Sequence, residues 1–248
     1  MDLAVARRLL ADLPEDAVVV DVGGGASPFP RADYVIDAVS FDASGSGSSA
    51  NVHEHLGMRP RFTRDSWIQA DVCARSPWPV VDKQFDFVVC SHLLEDIRDP
   101  IWACSELQRI GKAGYIEVPS RIEEQCRGVE HPSYAGYYHH RWLIGRNGDK
   151  LEFRHKPHNL HAINDAIVAQ LAPGLRINPV HSILSFEWTG AVLATEVLEF
   201  SEAKVIDELC SFAAAARVLP DLTVRVPMNW RDNAKRRVYF WRLAHGRR

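Results

Sequence analysis

A run of glycines between two acids carries the clearest chemical signal in this chain. Asp21 precedes Gly23, Gly24 and Gly25, and Asp37 follows shortly afterwards. Glycine lets a chain turn sharply beneath a ligand, and a carboxylate at the end of a strand can accept both hydroxyls of a ribose. The pattern therefore predicts a nucleoside site that includes Asp21, Gly23, Gly25 and Asp37.

The residues after the glycines indicate which kind of nucleoside fits. A dinucleotide site needs a third glycine and a helix N-terminus that holds a pyrophosphate. Pro28 and Pro30 stand there instead, and a proline has no backbone N–H to donate. A cofactor without phosphate fits better. S-adenosylmethionine is such a cofactor, since its ribose suits Asp37 and its amino-acid end suits the carboxylate and carbonyls around Asp21.

Alternating strands and helices are expected to position these residues. The β-branched run at 18–22 is typical of a strand buried on both faces, and a second strand ends at Asp37. Further strands are expected at 68–72, 85–90 and 115–118, and helices at 2–13, 93–97 and 100–110, with Asp99 as the N-cap of the last. This order predicts a parallel sheet with the ligand at the carboxyl ends of its strands.

The composition is typical of a globular enzyme. The chain has 248 residues, of which 46% are hydrophobic and 25% charged, enough for one substantial core. A formal net charge of −3 implies no general attraction to nucleic acid. The absence of a membrane-length apolar run and of a leader predicts a cytoplasmic protein without a membrane partner. The five cysteines lack paired C-x-x-C spacing and are expected to be reduced packing residues.

Several motifs in residues 15–120 resemble, in their order, the class I S-adenosylmethionine-dependent methyltransferases of the small-molecule type. The motifs are DVGGG at 21–25, the acid Asp37, QADV at 69–72, DKQFDFVVCSHLLEDIRDP at 82–100 and ELQRIGKAGYIEVPS at 106–120. The resemblance implies an α/β, Rossmann-like fold, in which helices flank a mostly parallel, twisted sheet. It also implies S-adenosylmethionine as the cofactor and methyl transfer as the reaction.

The resemblance assigns cofactor roles to individual residues. It implies that the methionine end contacts Asp21, Gly23 and Gly25, the ribose Asp37, the adenine Asp71 and Val72, and that Ser91 and His92 lie beside the sulfonium. The chain departs from the family pattern at two positions. Ser27 replaces the third glycine of the first motif. Asp96 follows Glu95 where the family has a histidine, which excludes a role for a histidine there.

The acceptor must be bound outside the shared motifs. We expect a single domain over residues 1–248, with a core at 15–120, an acceptor-side insertion at 120–157 and a C-terminal completion of the fold at 158–248. An Asn-Gly pair at Asn147 and Gly148 predicts a β-hairpin within the insertion, which also contains an arm after the fifth strand. The Gly/Ser-rich stretch within 44–57 is either a mobile lid or a plain surface loop.

The insertion region is rich in histidines and aromatic residues. His139 and His140 are the first candidates for a general base that deprotonates a hydroxyl. Tyr137, Tyr138 and Trp142 could stack on a sugar or another ring. These residues favour O-methylation of a sugar, an oligosaccharide or another polar small molecule by in-line SN2 transfer. Weak candidates for a Mg²⁺ site are Glu123, Glu124 and Glu130.

Other functions remain open at this point. The protein could methylate nitrogen or carbon in a small metabolite, or it could bind the cofactor without catalysis. A basic C-terminal stretch from residue 217 suggests a nucleic-acid methyltransferase, although RRVYFWRLA at 236–244 is more typical of a strand that completes the sheet. The sequence disfavours nucleic acid as a partner and leaves a homo-oligomer open.

Overall fold

The computed structural model describes residues 1–44 and 56–226. Contacts divide the chain into two compact units. Unit 1 comprises Met1–Pro119, Arg141–His155 and Leu184–Val197, and unit 2 comprises Ser120–His140, Lys156–Ile183 and Leu198–Arg248.

The secondary structure alternates strands and helices in the first half of the chain. The strands are β1 Val19–Val22, β2 Tyr34–Asp37, β3 Trp67–Gln69, β4 Phe85–Ser91, β5 Gly111–Pro119, β6 Cys126–Arg127, β7 Trp142–Asn147, β8 Lys150–His155, β9 Ala169–Gln170, β10 Leu175–Ile177, β11 Ile183–Thr189, β12 Leu193–Glu196 and β13 Thr223–Arg225. The α-helices are α1 Leu3–Asp12, α2 Phe41–Ser44, α3 Pro100–Ile110, α4 Arg121–Glu124, α5 Pro179–Ser182 and α6 Glu202–Arg217.

Unit 1 is built on a six-stranded sheet in the order β11-β5-β4-β1-β2-β3. The five strands from β1 to β5 pair in parallel, which confirms the predicted Rossmann-like α/β fold. β1 lies between β2 and β4, so the strand order reverses at β1. A crevice forms outside the carboxyl ends of the strands at such a reversal, and ligands of open α/β sheets bind there.

The central strands are buried on both faces because almost every residue in them is apolar. Val20 and Val22 belong to one hydrophobic cluster, and Val19 and Val89 belong to another. Consecutive strand residues point to opposite faces of a sheet, so β1 contributes to both cores. The valine run therefore holds the glycine turn that follows β1 on a rigid support.

A β-hairpin of unit 1 confirms the prediction from the Asn-Gly pair. β7 and β8 pair antiparallel, with Asn147 opposite Lys150, and Gly148 has a φ of 62° in the turn. β12 joins β8 to make a three-stranded sheet, and Ile144 and Phe153 are part of the core of unit 1. The predicted insertion at 120–157 is thus shared between the two units.

Unit 2 has its own hydrophobic core. Helix α6 contributes Ala213 and Ala216, which cluster with Cys126 and Ile177. The fully buried Gln125 donates its side-chain amide to two backbone carbonyls, at 2.8 and 3.0 Å. Because an unpaired buried amide would be costly, these bonds fix the segment that follows α4.

Helix ends follow the sequence closely. Asp99 caps α3 by accepting a hydrogen bond from the N–H of Trp102 at 3.0 Å, as predicted.

The helix expected at 93–97 forms turns instead, in which Asp96 N donates to Leu93 O at 3.1 Å. With the cap at Asp99 and Pro100 just after it, there is too little chain for a separate stable helix.

Two predicted features lie outside the described residues. They are most of the predicted lid at 44–57 and the predicted strand at 236–244. Within residues 1–44 and 56–226, no helix combines the length and the apolar composition needed to cross a membrane.

Candidate functional site

A cleft of about 290 Å³ opens at the carboxyl ends of β1 and β4 in unit 1. Its position is the crevice expected where the strand order reverses. Five of the predicted cofactor residues line it, together with four that the sequence analysis did not assign to the cofactor. The lining residues are Met1, Asp21, Gly23, Gly24, Gly25, Ser27, Phe29, Ser91 and His92.

Two of the three glycines in the turn leave no room for a side chain. Gly23 N donates to Ile36 O at 2.8 Å, and the φ of Gly23 is 76°. A Cβ added there would lie 2.8 Å from the side chain of Leu93. At Gly24, a Cβ would lie 2.8 Å from Pro28. The glycines therefore bring bare backbone to the edge of the cleft.

We expect Gly23→Ala to lower the free energy of unfolding by about 1–3 kcal/mol, because alanine is strained at this φ and would clash with Leu93. Denaturant unfolding measures the change. Gly145→Ala in β7 is the matched control, since no atom lies within 4 Å of its Cβ position and its φ is not in the left-handed region. The control should change stability by no more than about 0.5 kcal/mol. Equal stability of the two variants would contradict a constrained turn.

Asp21 has a buried carboxylate that is only partly satisfied. Its side chain lies at the end of β1 and the residue is 3% exposed. Oδ2 accepts a hydrogen bond from Phe29 N at 2.5 Å, whereas Oδ1 has no hydrogen-bond partner among the described residues. Burial raises the pKa of Asp21 to about 6, against the lowering effect of the Phe29 N–H. Such a group gains from a cationic donor placed in the cleft.

Asp37 holds the opposite side of the glycine turn. The residue is 7% exposed at the end of β2. Its Oδ2 accepts from Gly25 N at 2.9 Å and its Oδ1 from Val39 N at 2.8 Å. A carboxylate oxygen can accept more than one hydrogen bond. Asp37 fixes the turn through both oxygens and is not among the residues that line the cleft. Its contact with a ribose hydroxyl stays a prediction.

His92 lies between two buried carboxylates on the β4 side of the cleft. Its Nε2 is 3.1 Å from Glu117 Oε1 and its Nδ1 is 3.4 Å from Glu95 Oε1. Glu117 is fully buried on β5, where it also accepts from Ser91 Oγ at 3.2 Å and from Tyr115 Oη at 2.7 Å. The backbone of His92 is left-handed, with a φ of 55°. Strain of this kind in a non-glycine residue is concentrated at functional sites.

The contacts of His92 and Glu117 determine the protonation state of each side chain. Burial by itself would lower the pKa of His92, but the hydrogen bonds to Glu117 and Glu95 outweigh it and raise the pKa to about 9. Burial would raise the pKa of Glu117, but the bond from His92 and the other donors lower it to about 2. At neutral pH the cleft wall therefore carries an imidazolium and a carboxylate, and a ring that is already protonated at this pH cannot accept a proton as a general base.

Asp71 and Val72 do not line the cleft. β3 ends at Gln69, and Asp71 accepts a hydrogen bond from Cys73 N at 2.8 Å in the turn that follows. Val72 is 5% exposed and packs in the core of unit 1. Their role with the adenine stays a prediction.

Unit 2 contains a second cluster of ionisable groups, around Glu124. His140 Nδ1 lies 2.6 Å from Glu124 Oε1, and Lys156 Nζ donates to the other oxygen of the same carboxylate. Glu124 is 1% exposed and His140 is 9% exposed. A carboxylate at Nδ1 fixes the orientation of the ring and places the lone pair of the neutral form on Nε2.

Aromatic rings surround this cluster. Tyr137 stacks on His140 with ring centres 4.4 Å apart, and Lys156 also donates to Tyr137 O at 2.8 Å. His139 is exposed and meets the edge of the His140 ring. A cleft of about 150 Å³ lies over these groups, and its lining includes the exposed rings of Tyr134 and Tyr138.

Trp142, the third predicted acceptor residue, belongs to unit 1. Its indole N–H donates to Ile97 O at 2.9 Å, and its ring meets the edge of Phe153. It lines a cleft of about 190 Å³ together with Arg75, Arg98 and Glu196.

The three weak Mg²⁺ candidates bind protein donors. The two oxygens of Glu124 face His140 and Lys156, Glu130 accepts from Tyr138 N at 3.0 Å, and Glu123 accepts from Tyr137 Oη at 3.4 Å. No group of three or more possible metal ligands among the described residues includes any of these glutamates. The structure thus gives the magnesium hypothesis no support.

Sequence reasoning missed Glu117 and Lys156. The sequence contains one indication of the role of Glu117, because an acid within the apolar strand sequence YIEVP must be buried and paired. The sequence contains no such indication for Lys156, since its pairing with Glu124 joins residues that are distant in the chain.

Comparison with known protein families gives a match over the first part of the chain. A family model described as a methyltransferase domain matches residues 3–142, which is more than half of the chain. No curated protein sequence gives a significant match.

Three of the solved structures that match part of the chain are bacterial proteins. One is a proposed methyltransferase from Bacillus halodurans, with 22% identity over 48% of this chain and 51% of that protein, and a TM-score of 0.36. Another is an S-adenosylmethionine-dependent methyltransferase from Aquifex aeolicus, with 18% identity over 49% of this chain and 74% of that protein, and a TM-score of 0.34. The third is an S-adenosylmethionine-dependent methyltransferase from Mesorhizobium loti, with 16% identity over 61% of this chain and 64% of that protein, and a TM-score of 0.34. The matched region of this chain spans about half the length of the Bacillus protein. The match of the family model over residues 3–142 shows that the chain belongs to the methyltransferase domain family.

Proposed function

We propose that the protein is an S-adenosylmethionine-dependent methyltransferase that binds its cofactor in the cleft of unit 1 and methylates a hydroxyl group of a sugar or another polar small molecule. The observation that carries the cofactor assignment is Asp21 Oδ1, a buried oxygen beside the glycine turn that has no hydrogen-bond partner among the described residues. An ammonium group is the donor that satisfies it best.

The residues around the cleft fit this cofactor. The bound cofactor supplies a methyl group on a sulfonium. Asp21 would accept its ammonium, Asp37 would accept its ribose hydroxyls, and the open backbone of Gly23 and Gly25 would lie against it. Pro28 and Pro30 remove donors that a pyrophosphate would need.

We expect the cofactor affinity to fall as the pH is lowered through about 6, because only the ionised form of Asp21 attracts an ammonium group. The pKa of Asp21 is raised to about 6 by burial, so affinity should drop by up to about tenfold for each pH unit below that value. His92 and Glu117 do not titrate in this range, since their pKa values lie near 9 and 2. Calorimetry between pH 5 and pH 7.5 should also detect proton release on binding.

Asp21→Asn is the control for this pH dependence. It keeps the size of the side chain and removes the ionisation, so its weaker binding should be independent of pH in this range. A wild-type affinity that stays constant from pH 5 to pH 7.5 would contradict the assignment of the ammonium to Asp21.

The acceptor assignment depends on the His140–Glu124 pair. The buried Glu124 carboxylate, 2.6 Å from Nδ1, holds the His140 ring in one orientation, and this supports a role as a general base for a hydroxyl. Of the two predicted histidines, we favour His140 because it is buried and paired, whereas His139 is exposed. The rings of Tyr134, Tyr137 and Tyr138 offer stacking faces at the same cleft, which supports a carbohydrate or another ring-containing acceptor.

A screen of acceptor classes tests this part of the proposal. The purified protein is incubated with S-adenosylmethionine that carries a labelled methyl group, and with glycans, phenols, small amines and RNA in separate reactions. Mass spectrometry then locates the methyl group. Label on a glycan or other small-molecule hydroxyl is the expected result. Label found only on nitrogen, on carbon or on RNA would contradict a small-molecule hydroxyl as the acceptor. Binding of the cofactor without turnover would indicate a noncatalytic module.

A further inference from the structure

Charged groups are unusually dense around His92 in the cleft of unit 1. The imidazole lies between Glu117 and Glu95, which are 0% and 2% exposed. Asp21 lines the same cleft. Three carboxylates therefore lie close to the imidazolium of His92.

The two glutamates are buried, whereas the His92 side chain, which lines the cleft, is 44% exposed. The glutamate charges therefore act on a ligand with little screening by water, and His92 is accessible to the same ligand. Charges in a low-dielectric site are screened much less than charges on the surface. S-adenosylmethionine has a net charge of +1 at neutral pH, because its sulfonium and ammonium outweigh its carboxylate. The demethylated product, S-adenosylhomocysteine, has lost the sulfonium charge and is neutral. A cleft with excess negative charge attracts the cofactor more strongly than the product.

We propose that His92 is a fixed cation that sets how strongly the cleft prefers the sulfonium cofactor over the neutral product. This inference rests on the proposed binding of S-adenosylmethionine in the cleft. His92 offsets one of the buried carboxylates, so the preference is smaller with His92 than without it.

The geometry explains why the ring stays charged. Both ring nitrogens face carboxylate oxygens, at 3.1 and 3.4 Å, and only the imidazolium has a proton on each nitrogen. Glu117 is itself held ionised by other donors, which include Asp2 N at 3.0 and 3.1 Å to its two oxygens. The raised pKa of His92 and the lowered pKa of Glu117 agree with this arrangement.

The test compares the affinities for S-adenosylmethionine, S-adenosylhomocysteine and adenosine at pH 7.0. His92→Asn removes the cation, and asparagine tolerates the left-handed backbone. The ratio of cofactor to product affinity should rise on the order of tenfold. This is the effect expected when one positive charge is removed at about 10 Å from the sulfonium, at an effective dielectric constant of about 20. His92→Lys should keep the ratio close to the wild-type value, because it retains a cation at this position. Adenosine affinity should change little in any of the variants.

Two results would overturn the inference. One is a ratio that stays constant or falls in His92→Asn. The other comes from the wild-type protein and so does not depend on folding of the variants: a neutral His92 ring at pH 7.0, read from the ¹⁵N shifts of its two nitrogens. Failure of the wild-type protein to bind either S-adenosyl compound would contradict the proposed function instead, while the ¹⁵N measurement still decides the charge of His92.

Discussion

Replacing His140 by asparagine should lower kcat by roughly 10²- to 10⁴-fold, which is the usual contribution of a general base. Asparagine places an N–H near the position of Nδ1, so it can keep the hydrogen bond to Glu124, but it cannot take a proton. The affinity for S-adenosylmethionine should stay the same, because His140 acts on the acceptor. Single-turnover transfer of a labelled methyl group measures the rate, and equilibrium dialysis measures the affinity.

The asparagine variant separates catalysis from stability. His140, Glu124 and Lys156 form a buried polar cluster, and deleting one member of such a cluster can cost about 3–5 kcal/mol. His140→Ala could therefore lose activity by unfolding, whereas His140→Asn should unfold close to the wild type. His155→Ala, at an exposed position of β8, serves as the control with full activity. Full activity of His140→Asn would rule out His140 as the base.

Replacing Asp37 by alanine should weaken the binding of S-adenosylmethionine by about thirty- to several-hundred-fold. The loss of two charge-assisted hydrogen bonds to the ribose is worth about 2–4 kcal/mol. The loss of the bonds to Gly25 N and Val39 N adds to it by loosening the turn. Titrations with labelled cofactor provide the measurement.

Adenosine is the ligand that isolates the ribose contact. Asp37→Ala should weaken adenosine binding as well, whereas Asp21→Asn should weaken only ligands with the amino-acid end. Asp65→Ala, at an exposed acid of unit 1, is the control without effect. An unchanged adenosine affinity in Asp37→Ala would show that the carboxylate only fixes the turn.

Local signals in the sequence were enough to predict most of the fold. The valine run of β1, the cap at Asp99 and the hairpin turn at Gly148 each depend on a few neighbouring residues, and the structure confirms all three. The helix predicted at 93–97 was wrong, because the cap and proline that begin α3 leave only turns before it. Competition between adjacent elements is difficult to judge from periodicity alone.

The candidate site was only partly predictable, for a physical reason. Asp21, Gly23 and Ser91 lie at strand ends, so the parallel topology brings them together. The ion pairs of the site depend on tertiary packing. His92 meets Glu117 across neighbouring strands, and Glu124 binds both His140 and Lys156, which are remote from it in the chain. No spacing rule connects such residues.

A parallel calorimetric titration with S-adenosylmethionine, S-adenosylhomocysteine and NAD shows which nucleoside the cleft of unit 1 accepts. We expect that one equivalent of either S-adenosyl compound binds, that the two compete, that Asp21→Asn weakens both and that NAD does not bind. Tight binding of NAD, or no binding of either S-adenosyl compound by the folded wild-type protein, would contradict it.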